Sequence, residues 1–206
     1  LPGMEEAFYR LANADQLAHI SPVQRIFYEE YEGLISIRAA TNTRELTGID
    51  PARQVARRQA LGPMLQRYME RGATGELKWN STLFPTHAYA QEADMSLRDY
   101  EDFVYGACFC DREDPVAEWK RVHDEQEKVI EWLKGRETVH IGGSNADLTL
   151  SIKGRTFINS DGKHNMPSGE IFTGPVEESA EGWVRFTYPA VTAGREVDGI
   201  ELIFKG

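Results

Sequence analysis

Gly33-Leu34-Ile35-Ser36-Ile37-Arg38-Ala39-Ala40 and Leu77-Lys78-Trp79-Asn80-Ser81-Thr82-Leu83-Phe84 are the two stretches whose reading decides the fold. Each is an apolar-rich run of strand length. The first reads as a buried strand, and the second is stopped by Pro85. Between them, Asp50-Pro51 starts a helix predicted to reach Arg71 and to close at Gly72. An N-cap aspartate before a first-turn proline is a start signal, and a glycine after the last turn is a stop signal. Gly62-Pro63 inside this helix predicts a kink or a break, because proline removes a backbone donor. Strand, long helix, strand is a βαβ unit, which implies parallel strands and a right-handed crossover.

Working outward, residues 4–12 and 22–31 read as helices, the second capped by Ser21 with Pro22 at its first position. Ser96 caps a further helix to about Ala107. Asp114-Pro115 starts the clearest helix of the chain, ending near Lys134-Gly135. Its apolar residues Trp119, Val122, Val129, Ile130 and Leu133 form one stripe. After Gly135 the texture changes to short alternating runs at residues 139–141, 147–152, 156–158, 171–172, 183–188 and 200–204, separated by Gly, Asp, Asn and Pro. That pattern predicts antiparallel strands. The expected class is α/β plus β-rich: a parallel-sheet α/β part over residues 1–135, then an antiparallel β-rich part over 136–206.

The formal net charge of -10 argues against a nucleic-acid partner, since a phosphate surface needs a basic patch. Arg53, Arg57 and Arg58 are the nearest thing to one, and they read as the solvated face of a helix. Cys108 and Cys110 are too close for an ordinary disulfide and read as reduced thiols near a helix end, which suits a cytoplasmic protein. No apolar run is long enough to cross a membrane, and no signal peptide is visible. The chain opens on Leu1-Pro2-Gly3 and not on Met, so its natural start is expected upstream and both ends are expected to be cut.

No histidine pair has helical metal-ligand spacing, and the HExxH pattern is absent. His19 and His140 read as structural, and His123 as a surface or helix-packing residue. His87 stands at the C-terminal end of a predicted parallel strand, where ligands gather in α/β folds, although a turn or helix-start role is the plainer reading. Gly142-Gly143-Ser144-Asn145 reads as a turn and not a phosphate loop, because no Gly-Lys-Ser/Thr ending follows. His164-Asn165-Met166-Pro167-Ser168-Gly169-Glu170-Ile171-Phe172 is the richest segment. A turn running into a strand fixes the direction of a carboxylate, as a ligand requires, so Glu170 is the candidate. His164 could converge on it, but two ligands make a weak metal site. An ordinary loop glutamate has the same spacing.

Several ordered segments carry a resemblance. They are Trp79-Asn80-Ser81-Thr82-Leu83-Phe84-Pro85-Thr86 with Ala88-x-Ala90-Gln91, and Met95-Ser96-Leu97-x-x-Tyr100-Glu101-Asp102-Phe103-Val104-Tyr105. Asn145-Ala146-Asp147-Leu148-Thr149, Asn159-Ser160-Asp161-Gly162-x-x-Asn165-Met166-Pro167-x-Gly169-Glu170 and Pro175-Val176-Glu177-x-Ser179-x-Glu181-Gly182 complete the set. Together they resemble the metallo-aminopeptidases of the aminopeptidase T and aminopeptidase S type. The resemblance implies a co-catalytic pair of divalent metals, zinc, cobalt or manganese. Such a pair polarises the scissile carbonyl, activates a bridging water and holds the free amine of a peptide substrate. It also implies a homodimer, and it maps the first metal-ligand glutamate of the family onto Glu170. The second glutamate and the His and Asp ligands have no counterpart before Gly206. The reading that follows is an incomplete fragment, ending within the β-rich catalytic domain and inactive alone. The alternative is a non-enzymatic binding module on the same scaffold.

Overall fold

The computed structural model describes residues 2–192 and 195–205. The chain divides into two compact units, the first holding residues up to Val104 and the second beginning at Tyr105.

The first unit opens with three short helices, α1 (Met4–Leu11), α2 (Ala14–Ala18) and α3 (Pro22–Glu29). Reciprocal capping boxes start α2, through Asn13 and Gln16, and α3, through Ser21 and Gln24. Strand β1 (Gly33–Arg38) is followed by α4 (Pro51–Thr74) and β2 (Lys78–Leu83). The strands pair in parallel from Gly33↔Lys78 to Arg38↔Leu83, so the predicted βαβ unit forms. The Asp50 side chain caps α4 by accepting from the Ala52 N–H at 2.9 Å. Helix α4 runs through Gly62-Pro63 without interruption and ends one turn later than predicted, at Gly75 with φ +79°. A left-handed residue costs glycine little, so Gly75 can close the helix in that conformation.

Burial corrects the reading of β1. Leu34 is half-buried, but Ile35 and Ile37 are 73% and 63% exposed. Side chains alternate across a strand, and Leu34 lies opposite Trp79, whose ring stands against Tyr68 of α4 at 6.2 Å. The helix thus meets one face of the strand pair, and Ile35 and Ile37 point to the other.

The second correction concerns the arginines of α4. Arg58 is exposed as expected, but Arg53 and Arg57 are half-buried. Arg53 donates to the carbonyls of Tyr9 and Ala12 at the end of α1. Arg57 donates to those of Leu17 and His19 at the end of α2, at 3.1 and 2.5 Å. Farther along the helix, buried Arg71 donates to Tyr28 and Tyr31 at the end of α3, at 2.9 and 3.0 Å. Three successive helices therefore present carbonyls at or just past their C-terminal ends to one arginine each. Those ends carry partial negative charge, so a cation is the fitting partner.

The unit continues with α5 (His87–Glu92) and α6 (Leu97–Ala107), the latter crossing into the second unit. His87 is the exposed first residue of α5, whose cap is Thr86, so it has the helix-start role.

In the second unit, α7 (Pro115–Leu133) is capped by Asp114, which accepts from the Ala117 N–H at 3.0 Å. Strands β3 (Thr138–Gly143) and β4 (Ala146–Ser151) form a hairpin around Ser144-Asn145. The glycine stretch is thus half strand and half turn. Next come β5 (Ile158–Ser160), β6 (Asn165–Met166), β7 (Glu170–Phe172), β8 (Glu181–Arg185), β9 (Ala190–Thr192), β10 (Arg195–Val197) and β11 (Glu201–Phe204). An antiparallel sheet orders as β11-β8-β4-β3, as the alternation predicted. Gly182 of β8 has φ +120°, and a Cβ there would lie 2.0 Å from the Asp147 carbonyl oxygen, so only glycine fits. Cys108 and Cys110 are free thiols, and burial raises the Cys108 pKa, with Cys110 adding to the effect. Among the described residues, no helix is long and apolar enough to cross a membrane.

Candidate functional site

Glu170 begins β7, which pairs antiparallel with β5 through Ile158↔Phe172, Asn159↔Ile171 and Ser160↔Glu170. The pleat sorts these six residues. Asn159 and Ile171 are half-buried, whereas Ile158, Glu170 and Phe172 are exposed on the opposite face beside Ser160. The face carrying Asn159 meets α7, because Gln126 of that helix donates to Asn159 Oδ1 at 2.5 Å. Glu170 therefore stands on the outward face of the hairpin. Its carboxylate makes no hydrogen bond or ion pair among the described residues.

The connection of residues 161–169 is held at both ends. At its exit, Ser168 Oγ lies 2.5 Å from Ser160 Oγ and donates to the Ser160 carbonyl at 3.0 Å, and the Gly169 N–H donates to the same carbonyl at 3.0 Å. Gly169 has φ +103°, a conformation that side chains other than glycine rarely take. At its entrance, a Cβ on Gly162 would lie 2.8 Å from Met166 Cε and 3.3 Å from the Trp119 ring. Trp119 is fixed by its indole N–H to the Cys108 carbonyl at 3.2 Å and by an edge contact with Phe109.

Asp161, the first residue of the connection, has a side chain only 7% exposed. It meets Lys163 Nζ at 2.5 Å and His123 Nδ1 at 3.0 Å. Burial pushes its carboxyl pKa up, but the bonds from Lys163 and His123 outweigh burial and hold it below the ordinary value. His123, expected as a surface or helix-packing residue, is thus tied to Asp161.

His164 is exposed within the turn, and His87 lies in the other unit. Neither joins Glu170 in a larger set, for the described residues contain no group of three or more His, Cys, Asp or Glu able to hold a metal ion. A catalytic zinc takes three protein ligands and a water. The described donors therefore do not fit a metal pair by themselves.

The residues missed in the sequence are the ones that hold the turn: Gln126, Asn159, Asp161 and Ser168. One of them left a signal. Gln126 falls between Val122 and Ile130 on the apolar stripe of α7, and a polar residue in a buried stripe needs a partner.

The profile of the family described as thermophilic metalloprotease (M29) matches residues 1–206. Aminopeptidase 2 of Geobacillus stearothermophilus is 26% identical over 194 residues, covering 86% of this chain and 47% of that protein. Aminopeptidase T of Thermus aquaticus is 26% identical over 216 residues, covering 92% and 52%. The structure of wild-type AmpT from Thermus thermophilus superposes with a TM-score of 0.72 at 22% identity, over 98% of this chain and 54% of that one, and so shares its fold. The chain spans about half the length of the relatives it matches. With the profile matched from end to end, the chain belongs to the thermophilic metalloprotease (M29) family.

Proposed function

We propose that the protein carrying this chain is a metallo-aminopeptidase that removes N-terminal residues from peptides, and that Glu170 is one of its metal ligands. The match of the family profile over the whole chain carries this reading. Support at the residue level comes from Glu170 itself, an exposed carboxylate with no partner among the described residues, set on the outward face of a hairpin whose turn is tied at several points. A hard carboxylate suits zinc, cobalt or manganese when imidazole and further carboxylate ligands accompany it. The described residues supply one ligand, so the remaining ones belong to other parts of the site. The proposal extends to the cytoplasm, for which Cys108 and Cys110 as free thiols are the supporting observation, and to a homodimer, which rests on the family resemblance alone.

The test is Glu170→Gln in the complete gene product, which keeps shape and removes charge. Metal content and kcat/KM on a chromogenic leucine substrate should each fall by at least about 10–100-fold, the range known for residues that merely support ligands. Circular dichroism should be unchanged. A folded variant with normal metal content and rate would leave Glu170 an ordinary loop residue. The 206-residue chain alone, supplied with zinc, cobalt or manganese, should turn over no substrate. Metal-free peptide binding by it would favour a binding module instead.

A further inference from the structure

Helix α6 ends on two thiols. Cys108 is buried, Cys110 is exposed, and Phe109 stands between them with φ +59°. Neighbours this close in sequence rarely pair, because an extended residue between them sends their side chains to opposite faces. Phe109 is not extended. Its N–H donates to the Gly106 carbonyl and the Cys110 N–H donates to the Tyr105 carbonyl, each at 2.9 Å. Those two bonds make the helix-ending motif in which a left-handed residue folds the chain back over the last turn. Glycine usually fills that place, since a side chain there is strained. Phenylalanine is held in it by its surroundings. Its ring stands edge-on to Trp119 at 5.3 Å, and the Trp119 indole N–H donates to the Cys108 carbonyl at 3.2 Å. The Arg112 N–H closes on the Phe109 carbonyl at 3.0 Å.

The bend brings the two thiols together. Burial raises the Cys108 pKa most, and the charge of Cys110 and a hydrogen bond between the two side chains raise it further. Cα atoms on either side of a helical-type bend fall within the span of about 4.4–6.8 Å that a disulfide usually bridges. The thiols differ in access. Cys108 is buried and kept protonated, which makes it a poor nucleophile, whereas Cys110 meets solvent. One sulfur is therefore open to attack from outside, and the other lies behind it, ready to resolve what forms there.

We propose that Cys108 and Cys110 form a reversible oxidation site, closing as a Cys108–Cys110 disulfide on reaction with a low-molecular-weight disulfide such as oxidised glutathione. Cys110 reacts first. Its thiol gives a proton to solvent, and the thiolate attacks one sulfur of glutathione disulfide. That S–S bond breaks, and one glutathione leaves as its thiolate. The Cys108 thiol then loses its proton, and its sulfur attacks the Cys110 sulfur and expels the second glutathione. The protein gives up two electrons and two protons, and glutathione disulfide takes them up as two thiols. A small, solvent-facing ring of this kind is readily reduced again, as strained and exposed disulfides are. Free thiols in a reducing compartment are its resting form.

The test is oxidation of the complete gene product by glutathione disulfide at about 10 μM, far below the millimolar effective concentration of a short tether. The readout is mass mapping of the tryptic peptide from Asp99 to Arg112, which holds both thiols. In wild type this peptide should lose the mass of two hydrogens, the closed form exceeding the Cys110–glutathione adduct by about 10-fold or more. Dithiothreitol should restore both thiols. Cys108→Ser should stop at the adduct on Cys110. Cys110→Ser should react at least about 10-fold more slowly than wild type, because only the buried thiol is left. An adduct that persists on Cys110 of wild type overturns the proposal. So does a bond from Cys108 or Cys110 to any other cysteine, or the absence of reaction at either thiol. Reaction of Cys110→Ser at the wild-type rate overturns it as well, since Cys110 would then not be the point of entry. Should a serine variant fail to fold, the wild-type map decides by itself.

Discussion

Arg71→Met should destabilise the chain strongly although it touches no functional group. Arg71 is 4% exposed, and its guanidinium donates to the carbonyls of Tyr28 and Tyr31 where α3 ends. Hydrogen bonds from a charged donor contribute about 1.5–3 kcal/mol each. Methionine keeps the packing of the aliphatic stem, and removing the guanidinium recovers part of its desolvation cost. Two half-buried carbonyls at the negative end of α3 then lose their partner, so the net loss should be about 2–4 kcal/mol. The ion pair of Arg71 with Glu76 adds little, because it is 3.5 Å long and Glu76 is 51% exposed. For a chain of this size each kcal/mol moves Tm by about 2–4 °C, so the expected fall is about 4–16 °C. The assay is thermal unfolding followed by circular dichroism, with Arg58→Met and Glu76→Gln as companions. Exposed Arg58 should cost under about 0.5 kcal/mol. A Tm for Arg71→Met no lower than that of Arg58→Met would refute the capping argument. A Glu76→Gln loss as large as that of Arg71→Met would move the effect to the ion pair.

Gly182→Ala should break the β4–β8 pairing, since the added methyl would meet the Asp147 carbonyl oxygen at 2.0 Å, and a loss above about 4 kcal/mol is expected. Gly199→Ala, with φ +64° and open space around the new methyl, should cost about 1–3 kcal/mol, and equal losses would show the steric argument wrong. Asp161 has a folded pKa below its ordinary value, so its contribution is complete above the unfolded aspartate pKa of about 3.9 and is lost as pH falls through the folded value. Asp161→Asn should therefore lower stability near neutral pH and converge with wild type in strong acid, as denaturant titrations at the two pH values can show. A pH-independent difference would count against the Lys163 and His123 pairing.

The order of elements was legible because it is written in local chemistry. Ser21-Pro22, Asp50-Pro51 and Asp114-Pro115 cap their helices as read, and the alternating runs after Gly135 became strands. Helix α2 went unseen, since five residues carry no periodicity and only the Asn13–Gln16 box announces it. The strands around Glu170 were placed within two residues.

What the sequence by itself determined is the βαβ start, the antiparallel continuation and the family, because propensity, capping and ordered motifs act over a few residues at a time. Only the tertiary structure decided which polar side chains are partners. Arg53 and Arg57 looked like solvent-facing charge until α1 and α2 brought their last carbonyls to α4, and Arg71, read only as a helix end, meets the end of α3 in the same way. Gln126 meets Glu170 across 44 residues of chain, and His123 meets Asp161 across 38. A hydrogen bond acts over about 3 Å, and no periodicity in the chain states which distant atoms folding will bring that close.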